Sequence, residues 1–88
     1  MKTTFNRHFL KDIGKLPTAE LKNEIADIIL AVEAANNLAE VQNTKKLKGF
    51  KTAYRIRVGD FRIGLVVTQQ TVEFVRVVNR KDIYKLFP

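Results

Sequence analysis

Eighty-eight residues, 45% of them hydrophobic, make one small domain with a single core, spanning 1–88. The absence of cysteine excludes a disulfide framework and thiolate metal sites. A net charge of +7 is concentrated in the second half, since residues 1–44 carry five basic and six acidic side chains and residues 45–88 carry eleven and three; this favours a polyanionic partner, nucleic acid ahead of a membrane surface, because no amphipathic anchor accompanies the charge.

The opening MKTTFNRHF lacks the apolar stretch of a signal peptide, and no later run is long enough to span a bilayer, so a cytoplasmic protein with no membrane partner is expected. Lys2 to Asn6 reads as a first strand, with Thr4 or Asn6 placed to cap the next element. Phe9, Leu10, Ile13 and Leu16 recur at helical spacing, weakened by Gly14 and ended by Pro17. A second helix is expected from near Thr18, with Leu21, Ile25, Ile28, Ile29 and Val32 as its apolar stripe and early acids that suit its N-terminus. From Asn36 to Phe50 the pattern dissolves into a polar loop, with room for one helical turn at Leu38 to Val41, ending in Lys45, Lys46, Lys48 and Gly49.

Strands are expected at Thr52 to Val58, Phe61 to Thr68 and Val72 to Val78, in an antiparallel sheet. Gly59 and Asp60 read as a two-residue hairpin loop, which sets Val58 against Phe61, Ile56 against Ile63 and Tyr54 against Leu65. The other face then holds Arg57 against Arg62 and Arg55 against the bare backbone of Gly64. Like charges directly opposite one another are destabilising, so such a stack suggests a site for an anion, phosphate first. For the last strand, a two-residue turn at Gln69-Gln70 would put Arg76 on the apolar face. A three-residue turn, the register we favour, sets it opposite Gly64 among the arginines. Arg80 to Leu86 closes the chain as a short helix or turn. The expected architecture is α+β, in the order β-α-α-β-β-β with a short C-terminal helix: two N-terminal helices on one face of a small antiparallel sheet, and an open arginine face. Tyr54, Phe5, Phe9, Phe61 and Phe74 are the expected aromatic core.

The single histidine, His8, lies in the acidic half and reads as an ordinary surface residue. No HxxxH spacing or carboxylate cluster suggests a metal, and no GxxxxGK[ST] or GxGxxG suggests a nucleotide cofactor, so none is expected. Arg55, Arg57, Arg62, Arg76, Arg80, Lys48, Lys51, Lys81 and Tyr84 remain. Arginine bonds two phosphate oxygens at once and steadies charge on a pentacoordinate phosphorus. Tyrosine offers a ring for base stacking and a hydroxyl for phosphate or ribose. Together they suit metal-free RNA cleavage with the ribose 2′-OH as internal nucleophile. The plainer alternatives are a solvated strand face for Arg55 and Arg57, a core plug for Tyr84 and a helix cap or Asp82 partner for Arg80.

The stretches LKG at Leu47 to Gly49, YRIRVGDFR at Tyr54 to Arg62 and NRKDIY at Asn79 to Tyr84 resemble the RelE/ParE superfamily of toxin–antitoxin toxins, in its RelE branch. The resemblance covers nearly the whole chain. It implies a ribosome-dependent mRNA endonuclease that acts in the A site and is restrained by a cognate antitoxin. It further implies that Arg55 and Arg57 face the scissile phosphate, that Arg62 stabilises the transition state, that Arg80 assists the leaving group and that Tyr84 stacks on the nucleotide. Lys48, Lys51, Arg76 and Lys81 are then further phosphate contacts, and Arg57, Arg62, Arg80 and Tyr84 the catalytic set. The family pattern carries lysines at the positions of Arg55 and Arg57, one of them a proposed base, whereas arginine does not deprotonate in proteins. Two other readings stand beside this one: a ParE-like inhibitor of DNA gyrase, and a non-catalytic relative that binds RNA or ribosomes.

Overall fold

Large apolar side chains recur at alternate positions along three long strands, and this decides the architecture, because the face that they form must be covered. A computed structural model describes residues 1–88. In chain order it comprises β1 (Lys2–Phe5), α1 (Arg7–Gly14), α2 (Ala19–Ala34), a 3₁₀ turn (Leu38–Glu40), β2 (Thr44–Lys46), β3 (Ala53–Val58), β4 (Phe61–Thr68), β5 (Thr71–Asn79) and α3 (Ile83–Leu86). The strands form one sheet in the order β1-β5-β4-β3-β2. Asn6 caps α1, its Oδ1 accepting the His8 N–H at 2.9 Å, and Thr18 caps α2, its Oγ1 accepting the Leu21 N–H at 3.1 Å.

Phe9, Ile25 and Val32 from the helices close on Ile56, Ile63, Leu65, Val72 and Phe74 of the sheet, all buried in one core. Of the expected aromatic core, Phe9 and Phe74 are fully buried, whereas Phe5 is 41% exposed and Tyr54 and Phe61 are half-buried at the margin. Phe5 still stacks on Phe74 at 5.4 Å between ring centroids.

Three features depart from expectation. Thr44–Lys46, read as loop, is a short edge strand antiparallel to β3, with Lys45 opposite Arg55. The sheet is not wholly antiparallel, since β1 runs parallel to β5. The turn at Gln69-Gln70 has two residues, with Thr68 opposite Thr71, but a bulge between Gly64 and Leu65 resets the register so that Arg76 still faces Gly64. Gln69 takes the left-handed backbone, φ 55°, that this tight turn needs.

The face opposite α1 and α2 is also less open than its charges suggest. Leu47, Ala53, Ile83 and Phe87 are buried there as a second small core, against Val66, Val75 and Val78. Phe87 lies directly over Gly64: a Cβ at that glycine would come within 2.6 Å of two ring carbons. Glycine is therefore required at this position to admit an aromatic ring. Burying that ring contributes roughly 1.5–3 kcal/mol toward docking α3 on the sheet.

Candidate nucleic-acid interface

The hairpin joining β3 and β4 turns at Gly59-Asp60, with Gly59 at φ 57°, and its register places Arg57 opposite Arg62 and Arg55 opposite Gly64. The sequence-derived pairing is thus the observed one. Arg62 Nη1 donates to the carbonyls of Gly59 at 2.8 Å and Phe61 at 2.9 Å, which folds the guanidinium back over the hairpin. Arg57 Nη2 donates to Asn43 Oδ1 at 3.3 Å. The Arg80 backbone N–H donates to the Asp60 carbonyl at 2.8 Å, tying the end of β5 to the same hairpin loop.

Partial burial lowers the pKa of Arg62 from the ordinary arginine value, and the positive fields of Arg55, Arg57 and Arg80 push it further down, while Tyr84 acts against them. Those four side chains are the electrostatic neighbours of Arg62. None of the arginines in this group has an acidic partner, because the one ion pair of the chain lies elsewhere. Held charge without a counterion is the expected preparation of a site for an anion.

Arg76 does not belong to this group, and its expected role as an RNA contact needs correcting. Its Nε donates to Asp12 Oδ2 at 2.7 Å and its Nη2 to Asp12 Oδ1 at 3.0 Å, while the Val77 N–H donates to the same carboxylate at 3.1 Å. The hydrogen bond to Asp12 raises the Arg76 pKa against the opposing effect of burial. This guanidinium joins α1 to β5. Gly64 likewise leaves no bare backbone for an anion, because the Phe87 ring occupies the space.

Beside the arginines lies a cleft of about 240 Å³ lined by Lys45, Leu47, Lys48, Phe50, Arg55 and Tyr84. Tyr84 is 66% exposed, so it is not a core plug; Ile83 and Phe87 supply the anchoring of α3. Lys48 lines the cleft, whereas Lys51 and Lys81 are exposed and do not. Three lining residues, Lys45, Leu47 and Phe50, were not among the expected site, and Leu47 lines it only by the edge of its buried side chain. Lys45 arrives through β2, which is too short to leave a periodic signal. Phe50 comes directly after a Lys-Gly pair, a turn signature from which an outward-facing aromatic could have been read. No imidazole or carboxylate lines the cleft, and His8 stands exposed at the start of α1. The arrangement can bind phosphates, stack a base and stabilise developing negative charge.

No family model matches the chain. It is 40% identical to Toxin RelE3 of Methanocaldococcus jannaschii over 89 residues, an alignment that covers both chains completely. It is 30% identical to Putative toxin RelE1 of the same organism over 78 residues, covering 88% of this chain and 86% of the relative. Among solved structures it is similar to the RelB-RelE antitoxin-toxin complex from Methanococcus jannaschii, with a TM-score of 0.81 and 39% identity over 96% of this chain and 98% of that one.

Proposed function

This chain belongs to the RelE toxin family of type II toxin–antitoxin systems, and from that premise we propose that it is a ribosome-dependent mRNA endonuclease that cuts in the A site and is neutralised by a cognate antitoxin. What supports this reading is one observation: Arg55, Arg57 and Arg80 gather around Arg62 without an acidic partner, next to an exposed Tyr84.

In the proposed reaction the 2′-OH of the nucleotide before the cut attacks its own 3′-phosphorus, the bond to the 5′-oxygen of the next nucleotide breaks, and a 2′,3′-cyclic phosphate and a 5′-OH remain. Arg62, with Arg55 and Arg57, neutralises the charge that grows on the non-bridging oxygens. In this reading Arg80 donates a hydrogen bond to the departing oxygen. Tyr84 supports the nucleotide by stacking, which helps align the 2′-OH in line with the leaving group. Because arginine neither accepts the 2′-OH proton nor gives up its own, water takes that proton and supplies the one that the departing 5′-oxygen gains. Lys48 and Lys45 add attraction for the flanking phosphates.

The antitoxin is proposed on the precedent of the solved RelB-RelE complex, and an acidic segment of such a partner would complement the cations of residues 45–88. Purified protein added to programmed ribosomes tests the chemistry. Cleavage should leave cyclic-phosphate ends and should vanish when the nucleotide before the cut carries a 2′-hydrogen. Cleavage of that deoxy substrate would overturn the 2′-OH mechanism. Accumulation of cleaved DNA–gyrase complexes with intact messages would favour the ParE-like alternative.

A further inference from the structure

Phe50 is a large apolar side chain left 49% exposed on the cationic side of the molecule, and nothing in the cleavage chemistry above uses it. It borders the same cleft as Tyr84, together with Lys45, Lys48 and Arg55. Neither ring is held there loosely. Phe50 is the last residue of a tight turn in which its N–H donates to the Leu47 carbonyl at 3.2 Å, with Gly49 at φ 86°. Tyr84 comes next to Ile83 on α3. Leu47 and Ile83 are buried in the same small core, with Ala53 and Phe87. The turn that carries one ring and the helix that carries the other are thus anchored in one small core.

We propose that Phe50 is a second aromatic contact for single-stranded RNA in this cleft, binding a nucleobase beside the stacking and phosphate-holding roles already given to Tyr84, Lys45, Lys48 and Arg55. An exposed aromatic beside unpaired cations is the combination that binds single strands with little regard to base identity, because every base offers a π-face and every nucleotide a phosphate. A nucleobase fits the apolar part of the lining, and the three cations supply charge complementarity to its backbone. The partner class is single-stranded RNA, and Phe50 is a positioning residue within it. The inference deepens the nuclease reading, on which its biological meaning rests, but it concerns binding and can be tested without cleavage.

The test uses a short single-stranded oligoribonucleotide carrying 2-aminopurine, made uncleavable by 2′-O-methylation, titrated into the free full-length protein. Wild type should quench the probe on binding. Phe50→Ala should weaken binding by about tenfold and remove much of the quenching, whereas Phe50→Trp should retain both. Phe50 is half exposed, so an unchanged melting temperature in Phe50→Ala verifies that the fold is intact. Absence of quenching by wild type, or equal binding by Phe50→Ala, overturns the inference. So does a Phe50→Ala variant that binds RNA normally but binds its antitoxin weakly, since the cleft would then be a protein contact. Quenching by a wild type that never cuts messages on ribosomes would sink the nuclease reading and leave this one standing.

Discussion

Arg62 and Arg76 stand on adjacent central strands and have opposite surroundings. Arg76 has a two-pronged contact with Asp12, and its pKa is raised by that hydrogen bond. Arg62 donates only to backbone carbonyls, and burial together with the fields of Arg55, Arg57 and Arg80 lowers its pKa against the opposing effect of Tyr84. Guanidinium groups of equal formal charge thus differ in surroundings: the neutralised one joins α1 to β5, and the crowded one has no acidic partner. A count of basic residues cannot separate the two; the partners can.

The largest expected effect belongs to the crowded side. Arg62→Ala should lower single-turnover cleavage of ribosome-bound message by about 10²–10³-fold, the typical loss when a transition-state donor is removed. Its melting temperature should stay level or rise, because a like-charge contact is relieved. The paired side should behave in the opposite way. Asp12→Ala leaves the Arg76 guanidinium and the Val77 N–H without their acceptor, at a cost of about 2–4 kcal/mol in urea unfolding. A loss of that size at Arg62, or none at Asp12, would erase the distinction.

Gly64→Ala should come next, with a destabilisation of about 1–3 kcal/mol from forcing the Phe87 ring off the sheet. If α3 is displaced with it, Tyr84 moves and cleavage falls as well, whereas intact stability would mean that the second small core does not hold the helix. At the small end, Lys51→Ala should change stability by no more than about 0.5 kcal/mol, since the side chain is exposed and does not line the cleft. With no imidazole or carboxylate in the cleft, the logarithm of the cleavage rate should climb steadily with pH around neutrality, as the 2′-OH loses its proton to solvent. A bell-shaped profile there would reveal a base outside the arginine group. The raised pKa of Arg76 works in the stabilising direction below the unfolded-state value and is lost only as pH rises through the folded-state value, so it leaves stability near neutrality unchanged.

The local parts of the fold were legible in the residues. The β3–β4 register followed from Gly59-Asp60 and an apolar alternation that a one-residue slip would invert. Helix starts followed from Asn6 and Thr18, whose side chains cap them. The parts that escaped reading depend on distant partners. β2 is three residues held by β3, β1 is placed by a parallel neighbour near the other end of the chain, and Arg76 is claimed by a carboxylate 64 residues earlier. Gly64 looked like a vacancy because nothing local announces that Phe87 returns to fill it. The arginine pair at Arg57 and Arg62 was visible because it is a local feature, whereas Phe50 and Lys45 join the cleft only through tertiary packing.

Mapping RNA ends in cells induced to express wild type, Arg62→Ala or Arg76→Lys tests most directly whether the unpartnered arginines sever messages. New ends inside the coding regions of translated messages are predicted for wild type and Arg76→Lys, and none for Arg62→Ala at equal protein levels. Growth arrest with intact messages, or cuts made equally well by Arg62→Ala, would contradict it.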